Sequence, residues 1–171
     1  DGLRLHLALA WTEATDEDVL SFVNTIPTRD GGTHEMGMLS AVGSAVLRFM
    51  ETHDFVKKGL EIKREDVREG ITAVLSICIH EPQFQGQTKG RLNNPEVRGQ
   101  VESLVRPSLE AFLHQNKSVG EAVANRVIQA ARAREASRAA ASQVRRKTAF
   151  GGRLNLPGKL ADCDSTTCDD S

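Results

Sequence analysis

The sequence has no tyrosine, one tryptophan and six phenylalanines, so aromatic residues make up only 4% of it. A chain this poor in aromatics offers few platforms for stacking nucleic-acid bases. Cysteine is scarce as well. Cys78, Cys163 and Cys168 are an odd number, which excludes a fully paired disulfide framework. No second cysteine pair or nearby histidine completes a zinc site with Cys163 and Cys168. Reduced thiols are the expectation, with Cys78 a small buried hydrophobe in a strand. No apolar run approaches the roughly 20 residues that span a bilayer. There is no basic-then-apolar leader. No glycine-rich loop has P-loop spacing, which argues against a small phosphotransferase of that kind. The first residue is Asp1 rather than a methionine, and a piece of a longer protein is expected.

What is present is ordinary for a soluble domain. The 171 residues are 39% hydrophobic and 26% charged, enough for one well-cored domain and short for two. The formal net charge is −1, which gives no global attraction to nucleic acid. The charge is uneven, however. Arg126, Arg132, Arg134, Arg138, Arg145, Arg146, Lys147 and Arg153 stand against Glu121 and Glu135 between residues 119 and 153, a local excess of six positive charges. Asp162, Asp164, Asp169 and Asp170 then make the tail acidic.

Leu3, Leu5, Leu7, Leu9 and Trp11 alternate with less apolar residues and predict a strand with one apolar face. Val19–Ile26 is rich in β-formers and predicts a second strand, hairpinned to the first. Pro27 ends it, Asp30-Gly31-Gly32 is a turn, and Thr33 is the expected N-cap of a helix. Met36, Leu39, Val42, Val46, Phe49 and Met50 recur at helical spacing, with Gly43 expected at a close backbone approach. Glu51–Glu65 has no clear period. Asp66–Gly70 reads as one capped turn stopped by glycine. Ile71, Ala73, Leu75, Ile77 and Ile79 predict a third strand, and its only partly polar second face suggests a central position.

Pro95 fits the first position of a second helix capped by Asn94, with Val97, Val101, Leu104, Val105, Leu109, Phe112 and Leu113 as its apolar face. Pro107 predicts a kink or break near Arg106. Ser118 is the expected cap of a third helix running to about Ala149, about 45 Å long if unbroken. Its second half is alanine and arginine with almost no large apolar residue. Domain divisions are expected at 1–117, an α/β core, 118–150, the Arg/Ala-rich helix, and 151–171, a linker. Strands with one apolar face, covered by helices, make an α+β fold, a two-layer α/β sandwich followed by a long C-terminal helix.

Between the third strand and the second helix lies E-P-Q-F-Q-G-Q-T-K-G-R-L-N-N-P-E-V, Glu81–Val97. It is too polar for a core. Pro82 and Gly86 hold it extended or turned. In an extended segment Gln87 and Lys89 would project together, an amide beside a fixed cation, a pair suited to a phosphate oxygen. The alternative is a solvated loop lysine. His34 and Glu35 follow the Gly-Gly turn and are read as a polar contact at a helix N-terminus. His6, His53, His80 and His114 are scattered and read as structural or solvated, and Arg68 and Glu69 as a local pair or cap. No residue is assigned to a metal.

Six separated segments resemble one family when taken in order. They are F-V-N-T-I-P-T-R-D-G-G-T-H-E at Phe22–Glu35, D-V-R-E-G-I-T-A-V-L-S at Asp66–Ser76, E-P-Q-F-Q-G-Q-T-K at Glu81–Lys89, N-P-E-V-R at Asn94–Arg98, A-A-R-A-R-E-A at Ala130–Ala136 and L-P-G-K-L-A-D-C at Leu156–Cys163. Together they resemble the second, or transducer, domain of the B subunit of bacterial type IIA DNA topoisomerases, DNA gyrase or topoisomerase IV. Pro107 departs from the uninterrupted helix of that family.

The resemblance implies a sandwich containing a left-handed β-α-β crossover, an exception to the usual hand. It implies a GHKL ATPase domain before this segment and a metal-binding TOPRIM domain after it in the same chain, an A subunit completing a heterotetramer, and a bacterial cytoplasmic location. ATP and Mg²⁺ would serve the whole enzyme and bind mainly outside this segment. ATP would drive B subunits to dimerise around a DNA segment. Gln87 and Lys89 would contact the γ-phosphate, with Lys89 placing charge where it develops in phosphoryl transfer. Thr88 lies between them in a loop that relays hydrolysis to strand passage. The DNA-cleaving tyrosine, the TOPRIM acidic residues and the ATPase residues are not in the sequence, so the isolated piece is expected to be catalytically inactive. Arg132, Arg134, Arg138, Arg145 and Arg146 would either line the path of the transported DNA or form a solvated helix face. A stand-alone nucleic-acid-binding module using that helix is the competing reading.

Overall fold

Eight residues, Arg4–Trp11, form strand β1, and period-two alternation turns Leu5, Leu7, Leu9 and Trp11 away from solvent. These features belong to a computed structural model that describes residues 2–55 and 59–150, with side chains described up to residue 144. The expected linker 151–171, Cys163, Cys168 and Arg153 lie outside the described residues, as do the side chains of Arg145, Arg146 and Lys147.

β2 (Asp18–Val23) does not hairpin to β1. It pairs in parallel with β4 (Ile71–Cys78), and β4 pairs antiparallel with β1 on its other edge. The sheet order is β1-β4-β2-β3, so β4 is central, as its sequence suggests. The predicted strand Val19–Ile26 is also interrupted. Asn24 and Thr25 both adopt positive φ, 49° and 68°, and return the chain into the short edge strand β3 (Ile26–Pro27). Two positive φ values are the signature of a tight hairpin turn whose twist matches that of its strands. Asn24 then fixes the far end of β4, its side-chain amide donating to the Ile79 carbonyl and accepting from the Ile79 amide, both at 2.9 Å.

Because β4 lies between β1 and β2, the connection 12–17 must cross the start of β4. It crosses at Gly70, whose φ is +77°. A Cβ there would lie 2.5 Å from the Thr12 carbonyl oxygen and 2.7 Å from that of Ala14. Only glycine meets both demands. Arg126 holds the crossing from the other side, donating to the carbonyls of Thr12, Glu13 and Ala14 at 3.2, 3.3 and 2.8 Å.

Helix α1 (Thr33–Thr52) and the short α2 (Arg64–Arg68) complete a β-α-β unit between the parallel neighbours β2 and β4. Thr33 is the first helical residue rather than the cap. Gly32 takes the cap position, and no side chain caps the helix. Gly43 meets only the Arg64 side chain at ordinary distance, whereas the tight backbone approach is at Gly37, where a Cβ would lie 2.5 Å from the Arg98 carbonyl oxygen. Met38, Val42, Val46 and Phe49 of α1 bury against Ile71, Ala73, Leu75 and Ile77 of β4 to form the core. Cys78 falls on the opposite phase of β4 and is exposed, which corrects its expected burial.

Helix α3 (Pro95–Gln115) packs against α1 and runs through Pro107 without ending. The missing N–H falls at an exposed position, while Val101, Val105 and Leu113 stay buried on either side. Packing of the apolar face therefore outweighs the loss of one backbone hydrogen bond. Helix α4 (Lys117–Phe150) starts one residue before the expected cap Ser118, directly after Asn116 closes α3. Val123, Ala124, Val127, Ile128, Ala130 and Ala131 bury its first half. By its contacts the chain divides into a first unit, Asp1–Ala133, and a second from Arg134 onward.

Candidate functional site

The segment Glu81–Val97 is a small hairpin. Strands β5 (Phe84–Gln85) and β6 (Arg91–Leu92) pair antiparallel, with Phe84 opposite Leu92 and Gln85 opposite Arg91. Gly86–Gly90 forms the tip. Gly86 and Lys89 have φ of +76° and +53°, and the Lys89 amide donates to the Gly86 carbonyl at 3.4 Å. Gln87 and Lys89 therefore share a turned tip, not one face of an extended strand. Gln87, Thr88 and Lys89 are all exposed. Lys89 Nζ lies 5.9 Å from the centre of the Phe84 ring, and among the described residues it makes no ion pair. An exposed cation over a half-buried ring gains only about 0.5–1 kcal/mol, so this contact parks the lysine without locking it.

The base of the hairpin is far more constrained than its tip. Leu92 is fully buried and its amide donates to the Gly31 carbonyl at 3.1 Å. The Asp30 amide donates to the Gly90 carbonyl at 2.9 Å, and Asn93 donates to Gln83 at 2.8 Å. Asn94 holds the expected N-cap position of α3 behind Pro95, but its side chain turns to the hairpin. It accepts from the Gln83 amide at 2.7 Å and donates to Glu96 at 2.8 Å, which holds the Glu96 carboxyl below its usual range. Two helix N-termini thus grip the hairpin, α1 through Asp30–Gly32 and α3 through Asn94.

Polar groups continue beneath the α1 contact. Ser21 and Thr28 hydroxyls lie 2.6 Å apart, and Thr28 Oγ1 lies 3.1 Å from His34 Nε2. His34 is fully buried, and desolvation lowers its pKa to about 4, so the ring is neutral. Burial raises the Glu35 carboxyl above its usual range, against the Ser21 hydroxyl and the charges of Arg68 and Arg91. His34 and Glu35 thus form the polar start of α1, as the sequence suggests, and Arg91 ties that start electrostatically to the hairpin.

Other residues group in ways the sequence conceals. His53 Nε2 and His114 Nδ1 meet at 3.3 Å beside the Phe49 ring, although 61 positions separate them. Arg68 pairs with Glu17 at 2.6 Å rather than with its neighbour Glu69, which instead lies 3.6 Å from Arg126. An apolar groove of about 950 Å³ between Leu5, Leu7, Leu109 and Val119 holds no part of the hairpin. Arg132 and Arg138 are exposed on α4, and Arg134 is half-buried. Among the described residues no group of three or more His, Cys, Asp or Glu is placed to hold a metal ion. Among the described residues, no helix is long and apolar enough to cross a membrane.

A family model described as DNA gyrase B matches residues 1–143. The DNA gyrase B subunit of Haloferax volcanii is 42% identical over 167 residues, covering 96% of this chain and 26% of that protein. The corresponding subunit of Thermotoga maritima is 39% identical over 166 residues, covering 97% and 26%. The chain thus spans about a quarter of the length of the curated relatives it matches. The 43K ATPase domain of Thermus thermophilus gyrase B, solved with an aminocoumarin, superposes with a TM-score of 0.77 at 33% identity, over 82% of this chain and 38% of that one. The ATP-binding domain of Francisella tularensis topoisomerase IV superposes with a TM-score of 0.71 at 30% identity, over 78% and 37%. The fold is of the class found in the ATPase regions of type II topoisomerases. The chain belongs to the DNA gyrase B family.

Proposed function

We propose that this chain is the energy-coupling, or transducer, segment of an ATP-dependent type II DNA topoisomerase. In this reading Lys89 contacts the γ-phosphate of an ATP bound mainly by a preceding GHKL ATPase domain, and Gln87 adds a neutral donor beside it. The observation that carries the reading is the contrast within the hairpin: a cation with no ionic partner among the described residues stands on an exposed tip, above a base held by hydrogen bonds to two helices. Such a tip can meet a phosphate from a neighbouring domain without reshaping its own fold. The ammonium offsets charge that grows on the transferring phosphoryl group, so its effect is larger on hydrolysis than on binding.

Loss of the γ-phosphate removes the tip's anionic partner, and the hairpin is free to leave. Nucleotide state is thereby converted into a domain movement, relayed to a TOPRIM domain further along the chain and to the DNA held with the A subunit. ATP-driven dimerisation of two B subunits fits the same scheme. In this reading Mg²⁺ belongs with the ATPase and TOPRIM domains, and the location proposed with the role is the bacterial cytoplasm. The isolated segment, without those domains, neither hydrolyses ATP nor cleaves DNA.

The test is ATP turnover by the full-length B subunit with Lys89→Ala or Gln87→Ala. Slowed hydrolysis with nearly unchanged ATP binding supports the role, more strongly for Lys89. Unchanged hydrolysis removes the hairpin from the site.

A second reading rests on the exposed Arg132 and Arg138 of α4, with Arg134, Arg145 and Arg146 on the same helix. They would contact DNA phosphates without reading sequence. Each lost contact would then lower the slope of log affinity against log salt by about 0.9. A slope unchanged in an Arg132→Ala, Arg138→Ala variant leaves these residues as a solvated face.

A further inference from the structure

We infer that the Asp30–Gly32 turn positions the Gln87–Lys89 tip and passes its movement to helix α1. This rests on the reading of Lys89 as a γ-phosphate contact. The turn and the hairpin meet through consecutive backbone bonds, Asp30 N–H to Gly90 and Leu92 N–H to Gly31, at 2.9 and 3.1 Å. Gly32 also bridges Leu92 as a strand would. Asp30 to Gly32 lead directly into the first turn of α1, whose Met36 amide bonds to the Gly32 carbonyl at 3.1 Å. The two partners are therefore joined within one residue of the tip on one side and within one residue of the helix on the other.

The fit at Gly90 is close. Gly90 is buried, and a Cβ added there would overlap the Asp30 carboxylate while lying 3.8 Å from the Thr88 hydroxyl. Its backbone needs no conformation reserved for glycine, and the obstructing atoms end an exposed side chain that can turn aside. The backbone-limited position is Gly32, where φ is +144° and a Cβ would overlap the Leu92 carbonyl oxygen and lie 2.7 Å from the Leu92 amide nitrogen. Around this contact Glu35 in the first turn of α1 and Arg91 on β6 attract one another. The backbone bonds of Asp30, Gly31 and Leu92, with the Gly32–Leu92 bridge, make the start of α1 the route by which a displacement of the tip is expected to reach the rest of the fold. From there it reaches the core, because α1 supplies Met38, Val42, Val46 and Phe49. Asp30 is a positioning residue in this scheme. It touches no phosphate itself.

The junction is tested where backbone rather than a side chain limits it. In the full-length B subunit with its A subunit, Gly32→Ala is expected to lower kcat for ATP at least tenfold with less than a threefold change in affinity for a non-hydrolysable ATP analogue. A Gly32→Ala enzyme as fast as the unmodified one, beside a slow Lys89→Ala, overturns the inference and spares the phosphate contact. If Lys89→Ala is fully active, the underlying reading falls and the inference with it. Should Gly32→Ala not fold, hydrogen exchange on the unmodified enzyme decides. The ATP analogue is expected to slow exchange at residues 86–90 and also to change it at residues 31–37. Protection confined to the tip overturns the coupling.

Discussion

The carbonyl of Gly70 accepts the Thr12 amide at 2.8 Å, where the connection from β1 to β2 crosses the start of β4. The Thr12 hydroxyl adds a second bond to the same oxygen at 3.2 Å. The sheet order depends on this crossing, because β1 and β2 are neighbours in sequence and are separated by β4 in space.

Gly70→Ala is expected to be among the most damaging single changes. It forces a side chain into positive φ and into two carbonyl oxygens. A loss of about 3 kcal/mol or more is expected. Urea denaturation of the isolated chain measures it, and a midpoint within error of the unmodified chain would mean the crossing is free to relax.

Arg126 clamps the same crossing from α4. Arg126→Ala leaves three carbonyls without their charged donor and is expected to cost about 1–3 kcal/mol. Arg126→Lys should recover little, since an ammonium cannot span the oxygens of Thr12, Glu13 and Ala14 as a planar fork does. Urea titrations of both variants give the comparison.

Buried His34 predicts a pH dependence of stability. Its folded pKa, about 4, lies below the unfolded value of 6.5. The unfolded chain therefore binds a proton that the folded chain refuses between those values. Stability contributed by the neutral ring is full above pH 6.5 and falls as pH drops to 4, by up to about 3 kcal/mol. Glu35 works in the opposite sense. Its folded pKa is raised, so its contribution is present at low pH and is lost as pH rises through that folded value. Comparing His34→Gln with the unmodified chain at about pH 7 and pH 5 separates the two, and the variant should show the flatter profile.

Pro107 stands inside an unbroken helix at an exposed position. Pro107→Ala restores an N–H for the preceding turn and is expected to stabilise the chain by about 1–3 kcal/mol. A thermal melt reads the gain, and no gain would mean that the helix is already bent to suit proline.

What the sequence reveals here follows the range of the force involved. Alternation in Leu3–Trp11 and Ile71–Ile79, and the helical spacing of Met36–Met50, are local signals, and each predicts its element and buried face. The partner of β2 is not local. Val19–Ile26 looks like the return strand of a hairpin because nothing nearby announces that β4 will insert between them. Asn24-Thr25 and Gly70 make the early turn and the crossing through positive φ, a backbone demand that hydrophobic periodicity does not display. Pro107 shows packing outweighing propensity, as buried Val101, Val105 and Leu113 hold the helix together. At the site, Gln87 and Lys89 were legible as a pair, though on a turned tip. The grip of Asp30 on Gly90 was not, since it joins residues 60 positions apart through backbone atoms that have no sequence signature.

The proposed γ-phosphate role requires Lys89 to leave the Phe84 ring for the nucleotide. Its most direct test is a crystal structure of the complete ATPase region that contains this segment, with Mg²⁺ and a non-hydrolysable ATP analogue. Lys89 Nζ is expected about 3 Å from a γ-phosphate oxygen, with Gln87 beside it and the Asp30–Gly90 and Gly31–Leu92 bonds intact. A γ-phosphate contacted by no residue of the hairpin, with Lys89 still resting over the Phe84 ring, would contradict it.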